Sequence, residues 1–231
     1  MNEIFVFTKG PPSWQKLLAK PDLHWKVGRS ARTLAHCWEA ADGFPPEVFA
    51  AFESANHPLL AKTEPLIAIP ECKVSLPGEA RASQNDIFVL SRSRKGPVAI
   101  MVEGKVTETF DDTVEVWRSK ATKAEVSGKE ERLAYLRREL GLSGEMPGNI
   151  RYQLLHRAVS AIIVGEQYRA AAAVLLVHSF CPKQSGWGDF QAFARLFGVE
   201  AEVNVLRLLG SACRVPLFAV WVTGNQEFLR A

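Results

Sequence analysis

Three charged residues near the middle of the chain have the types and spacing for metal-assisted hydrolysis. Asp86 opens a run of β-formers, Asp86-Ile87-Phe88-Val89-Leu90. Glu103 and Lys105 close a second apolar run, Val98-Ala99-Ile100-Met101-Val102, with Gly104 between them. Side chains alternate along a strand, so Glu103 and Lys105 share a face and Gly104 points away. Ser91-Arg92-Ser93-Arg94-Lys95-Gly96-Pro97 joins the runs and is turn chemistry. In an antiparallel pair the start of one strand lies beside the end of the next. Asp86 is therefore expected to meet Glu103 and Lys105 at the rim of an apolar sheet. Charges there are costly unless they pair with one another or hold a metal. Two carboxylates suit Mg²⁺ or Mn²⁺, which prefer oxygen ligands. An adjacent ammonium places positive charge beside an attacking water or an anionic substrate. A buried ion triad, with Lys105 bridging the two acids and no metal, is the alternative.

Asp86 followed by Glu103-Gly104-Lys105 on the next strand resembles the PD-(D/E)XK signature of the restriction-endonuclease-like nucleases. The wider text, SQNDIFVL, VAIMVEGKV and RYQLLHR, also resembles an uncharacterised bacterial family placed in that superfamily. The signature's Pro-Asp is Asn85-Asp86 here. The resemblance implies a β-β-β-α-β core, a metal held by Asp86 and Glu103, Lys105 as the catalytic cation, and Mg²⁺ or Mn²⁺ as cofactor. It implies an additional acid from an earlier element, for which Glu71 and Glu39 are the candidates. It also implies a side chain entering the site from the helix after the E-x-K strand. Gln153 fits that role, with Arg157 and His156 as contacts to substrate phosphate. The activity so implied is hydrolysis of DNA or RNA phosphodiester bonds, and many proteins of the resembled fold work as homodimers. A nuclease-fold module that binds nucleic acid or a protein without cutting is the alternative.

Other elements must position these residues. Leu66–Leu76 reads as a strand interrupted at Pro70, which argues for an edge or a bulge. Ile150–Arg169 reads as a long helix capped by Asn149, with Leu154, Leu155, Ala158, Ile162 and Ile163 on its buried face. Ala173–Phe180 and Val215–Val222 are further apolar strands, and Val203–Leu209 is helical or extended. The N-terminal quarter, residues 1–60, reads as a helical extension packed on the sheet. It holds a short edge strand over Glu3–Thr8, a helix from Ser13 stopped by Pro21, and helices at Ser30–Ala41 and Glu47–Ser54. Further helices fall at Val114–Ser119, Ser127–Leu140 and Trp187–Phe197. Lys129, Arg132, Arg137 and Arg138 on Ser127–Leu140 read as a solvated face. The fold class expected is α/β, a central mixed sheet flanked by helices, in a single domain of 231 residues.

Composition bounds the rest. A net charge of +3, concentrated in the middle third, excludes a protein that coats nucleic acid through bulk charge. The four cysteines, Cys37, Cys72, Cys181 and Cys213, form no C-x-x-C, so no zinc knuckle or redox motif is expected. The start MNEIFVFTKGPP is not a signal peptide and no run reaches spanning length, so a cytoplasmic protein without membrane contact is expected. His178-Ser179 lacks the G-x-S-x-G elbow of a serine hydrolase.

Overall fold

The structure is a computed structural model that describes residues 8–78, 81–211 and 214–231. The expected strand at Glu3–Thr8 therefore lies almost wholly outside the described residues, as does Cys213. Eight helices and six strands follow in chain order among the described residues: α1 (Pro12–Gln15), α2 (Pro21–His24), α3 (Ser30–Glu39), α4 (Pro46–Ser54), β1 (Glu64–Val74), β2 (Ser83–Ser93), β3 (Gly96–Lys105), α5 (Val114–Ser119), α6 (Val126–Glu139), α7 (Tyr152–Gln167), β4 (Ala172–Ser179), α8 (Trp187–Arg195), β5 (Arg207–Gly210) and β6 (Leu217–Thr223). Short 3-10 turns occupy Pro58–Leu60 and Gln226–Arg230.

The strands form one open sheet in the order β1-β2-β3-β4-β6-β5. β1, β2 and β3 run antiparallel to their neighbours, β3, β4 and β6 are parallel, and β5 returns antiparallel on β6. The sheet is thus mixed and mostly antiparallel, with helices on both faces. Parallel strands need a crossover. α7 supplies the one between β3 and β4, and α8 the one between β4 and β6.

The central strands are apolar through their middles because both faces are covered. In β3, Ala99 and Met101 face the core under α6, α7 and α8, while Val98, Ile100 and Val102 face the core under α1, α3 and α4. β4 and β6 alternate in the same way. α7 lies close on the sheet because small residues meet there: a Cβ on Gly165 would sit 3.6 Å from the Cβ atoms of both Ala99 and Ala173.

The edge strand β1 follows the expectation from Pro70, and it also contains Pro65. Glu71 has φ +53°, a left-handed conformation unusual for a residue with a Cβ. Prolines and a bent backbone blunt an exposed edge against further pairing.

Several boundaries differ from the sequence reading. Pro21 starts α2 rather than ending a helix, consistent with its tolerance of a first helical turn. α7 begins at Tyr152 with Arg151 at its cap, because Asn149 and Ile150 belong to a turn. Val203–Leu209 is extended, ending in β5.

Half of the cationic stripe on α6 is not solvated. Arg132 is 2 % exposed, and its guanidinium donates to the carbonyls of Leu76, Pro77 and Arg81 and to the Tyr152 hydroxyl. Lys129 is buried and donates to the Trp117 carbonyl at 2.6 Å. These two cations latch α6 to the β1–β2 connection and to α5. No helix among the described residues is long and apolar enough to cross a membrane.

Candidate active site

The carboxyl end of β3 lies beside the β2 segment that carries Asp86. The pairs Ile87↔Val102 and Phe88↔Met101 fix the register, and Asp86 accepts the Gly104 N–H on Oδ2 at 2.8 Å. The binding crevice of an α/β sheet is commonly found at the carboxyl ends of its strands.

Glu103 and Lys105 point toward α7, and each is 3 % exposed. Lys105 Nζ donates to Glu103 Oε1 at 2.8 Å, to Gln153 Oε1 at 3.0 Å and to the Thr109 carbonyl at 3.2 Å. It also lies 4.5 Å above the Phe110 ring. Gln153 and Arg157 are one turn apart on α7, so both reach the same spot. Gln153 Nε2 donates to Glu103 Oε1 at 2.8 Å, and Arg157 Nε donates to Glu103 Oε2 at 2.7 Å. Arg157 also donates to the Ser83 hydroxyl at 3.2 Å.

Glu71 lies between the register pairs Pro70↔Ile87 and Cys72↔Asn85, which sets it across from Asp86. Gln84 Nε2 donates to its Oε2 at 2.6 Å. The site thus collects three carboxyls, Glu71, Asp86 and Glu103, and two cations, Lys105 and Arg157.

These charges divide unequally. Burial alone would raise Glu103, but the charges of Lys105 and Arg157 and their hydrogen bonds outweigh it and hold Glu103 below the ordinary carboxylate value. Asp86 is held well above its ordinary value. Burial is the main cause, and the Glu103 and Glu71 carboxylates add to it beyond what Arg157 and Lys105 offset. Burial likewise pushes Glu71 up to about 7, against the Gln84 hydrogen bond. Glu103 is therefore an ion saturated by three N–H donors. Asp86 Oδ1 and Glu71 Oε1 accept no hydrogen bond among the described residues.

His156 lies one position before Arg157, and its Nδ1 is 2.8 Å from the Ser83 hydroxyl. Burial, then the charges of Arg157, Arg132, Arg81 and Lys105, hold it well below the ordinary imidazole value, so it is neutral. Gln153, His156, Arg157, Ser83 and Gln84 line a cleft of about 530 Å³.

The structure brings together Asp86, Glu103, Lys105, Gln153, Arg157, His156 and Glu71. It does not bring Glu39. That carboxylate accepts the Trp14 indole N–H at 2.7 Å and the Thr8 hydroxyl at 2.5 Å. It belongs to α3, which packs on the opposite face of the sheet. The face to which Gly104 points is filled: a Cβ there would lie 3.1 Å from Leu34 Cδ2 on α3. Sequence reasoning missed Ser83, Thr109 and Phe110. The polar stretch that opens β2 is the signal for Ser83. Nothing local marks a backbone carbonyl or a ring as a partner of Lys105.

Residues 7–226, nearly the whole chain, match the family model described as a domain of unknown function, DUF6946. The chain belongs to that family. No curated protein and no solved structure matches it.

This DUF6946 chain has a second polar cluster on the other face of the sheet. Cys37, Glu47 and His178 place one potential ligand atom each within 4.8 Å of one another. The Trp38 indole N–H donates to His178 Nδ1 at 3.2 Å. Indole nitrogen is a donor only, so a neutral His178 carries its own proton on Nε2. That N–H donates to Glu47 Oε1 at 3.0 Å, which also accepts the Asn225 N–H at 3.1 Å. Metal at Nε2 would require an imidazolate, so protons account for this cluster. Burial pushes the Cys37 thiol up, and Glu47 adds to it, which keeps the thiol protonated.

Proposed function

We propose that this protein is a metal-dependent phosphodiester hydrolase, a nuclease of the restriction-endonuclease-like kind acting on DNA or RNA. The observation that carries the reading is the convergence of Asp86, Glu103 and Lys105 on paired strands, with Gln153 and Arg157 entering from the crossover helix. The chain order β1, β2, β3, α7, β4 is consistent with the β-β-β-α-β core of that fold.

By residue type, the carboxyl donors suit a hard divalent cation. Asp86 and Glu71 offer oxygens without hydrogen bonds, and both are held toward the neutral acid for want of positive charge. Mg²⁺ or Mn²⁺, when bound, supplies charge to offset the phosphorane-like state and to acidify a water. Asp86 is the residue that would hold it, with Glu103 or Glu71 beside it. Gly104 N–H fixes the Asp86 carboxyl in position. Lys105, held by Glu103, Gln153 and the Phe110 ring, keeps an ammonium at one orientation beside the reacting phosphate. Arg157 is the cation nearest the cleft that can turn from Glu103 to a phosphate oxygen.

The second reading is a module of this fold that binds a partner without cutting. It draws on Glu103, whose oxygens already accept Lys105, Gln153 and Arg157.

Calorimetry with Mn²⁺ on the wild type, Asp86→Asn and Glu103→Gln separates the two. The hydrolase reading expects binding that is lost in Asp86→Asn, and metal-dependent cleavage of nucleic acid that is lost in Lys105→Ala. Binding indifferent to Asp86→Asn, with no cleavage in any metal, would favour the non-cutting module.

A further inference from the structure

We propose that the corner between α2 and α3, which carries Lys26, Arg29 and Arg32, is a docking surface for the phosphate backbone of a nucleic acid. The inference rests on the nuclease reading and adds the surface that holds its substrate.

Charge is uneven along the chain. Residues 9–32 carry six cations, Lys9, Lys16, Lys20, Lys26, Arg29 and Arg32, and one acid, Asp22. The rest of the chain carries more acids than cations. All six cations except Arg32 are exposed. None of the six forms an ion pair among the described residues, whereas the exposed Arg92, Arg118, Arg195 and Arg207 each face a carboxylate. Arg32 Nε is buried without a hydrogen-bond partner. The segment is therefore a local basic surface on a chain whose overall charge is small.

The fold brings three of these cations to the end of the sheet where the site lies. The Arg29 N–H donates to the Lys26 carbonyl and the Thr33 N–H to the Arg29 carbonyl, so Lys26 to Arg32 is one turn running into the start of α3. That start is pinned to the carboxyl end of β3. The Ser30 N–H donates to Glu108 Oε1 at 3.0 Å, and Glu108 Oε2 accepts the N–H of Val106, the residue after Lys105, at 3.0 Å. One turn further along α3, Leu34 packs on Gly104, whose N–H holds Asp86. The corner thus borders the carboxyl end of β3 on the α3 face, as Glu103 and Lys105 do on the α7 face. Glu108, the acid at this corner, is taken up by the N–H groups of Ser30, Val106 and Thr107. The turn Gln226–Arg230, which approaches Gly28, brings Glu227 and Arg230, and their charges offset.

A nucleic-acid strand carries one phosphate charge per about 3.4 Å of helix axis. With one phosphate at Lys105, others must pass the end of the sheet, where unpaired cations suit them. Such contacts hold the backbone and read no sequence. Leu23 and Val27, both exposed in the same segment, would also suit an anionic lipid surface. Position beside the site favours nucleic acid, and α2, four residues long, is too short to lay an apolar face in a bilayer interface.

The test is fluorescence anisotropy with two fluorescein-labelled probes, a short DNA duplex and a single-stranded RNA of the same length, in chelator so that nothing is cut. The full chain is compared with Lys26→Gln/Arg29→Gln and with Arg94→Gln/Lys95→Gln, whose exposed cations lie on the β2–β3 turn at the opposite end of the sheet. Thermal unfolding checks folding. Lys26→Gln/Arg29→Gln is expected to weaken whichever probe binds by at least about tenfold and to lower the slope of log affinity against log salt by about two. The Arg94→Gln/Lys95→Gln pair is expected to leave both unchanged. An equal loss in the two double variants means bulk charge and overturns the proposal. Affinity indifferent to Lys26→Gln/Arg29→Gln overturns it too, while the nuclease reading stands on its own metal calorimetry. Phosphatidylglycerol vesicles that need Lys26 and Arg29, with probe binding that does not, assign the surface to lipid and overturn it. Binding of neither probe overturns the proposal alone when Mn²⁺ still binds through Asp86, and both readings when it does not.

Discussion

Two buried polar clusters sit at the same end of the sheet, back to back. Gly104 and His178 are register partners, with the Glu103 cluster on the α7 face and the Glu47–His178 cluster on the α3–α4 face. Both are desolvated, but their balance differs. Around Glu47 the carboxylate faces an imidazole, a thiol and a backbone N–H, and each proton has an acceptor. Around Glu103 three carboxyls face two cations, and two of the carboxyls are held toward protonation. A buried group without a partner is expensive, so the balanced cluster is a fastening and the unbalanced one is where a ligand gains most. The fastening ties α4 and the segment at Asn225 to β4.

Removing the centre of each cluster is the sharpest way to break this contrast. Glu103→Ala leaves Lys105 and Arg157 buried without their carboxylate and is expected to cost about 3–5 kcal/mol, read from the urea midpoint. Metal binding should weaken with it. A loss below about 1 kcal/mol would mean that Asp86 and Glu71 take over both cations, and the two clusters would then be alike.

Glu47→Ala removes the acceptor of neutral donors and is expected to cost less, about 1–3 kcal/mol. Mn²⁺ binding should be unchanged. Nitrogen NMR of His178 should show the proton on Nε2. A proton on Nδ1 would reopen that cluster as a metal site.

The remaining contrast is a pH dependence. Glu71 has a folded value of about 7 against an ordinary 4.5, so the folded state binds a proton more tightly than the unfolded chain. Its contribution to stability therefore falls as pH rises from 4.5 through about 7. The difference in urea midpoint between wild type and Glu71→Gln should shift over that window, with the wild type losing ground as pH rises. A flat difference would leave Glu71 outside the cluster.

The β2–β3 hairpin and its charged rim were legible because alternation and a turn specify them locally. Gln153 and Arg157 were legible through the resemblance, which implies a side chain entering from the helix after β3, and helical spacing sets the two on one face. What could not be read depends on partners distant in sequence. Arg132 looks like a surface cation until carbonyls 51 to 56 positions away are folded against it. His178 gains its meaning from Glu47, 131 positions earlier. Glu39 was a reasonable acid for the site by its type alone. The face of the sheet on which α3 packs, which no local pattern encodes, gave it to Trp14 instead.

The separation of Arg157 from Glu103, 54 positions, also sets an order in time. During synthesis Glu71, Asp86, Glu103 and Lys105 leave the ribosome together, well before α7 exists. The nascent hairpin holds three carboxyls against one ammonium, and its apolar face cannot be sealed while they are all charged. Until the helix arrives, water solvates these charges and the face stays open, so sealing this face must wait for the guanidinium that α7 brings.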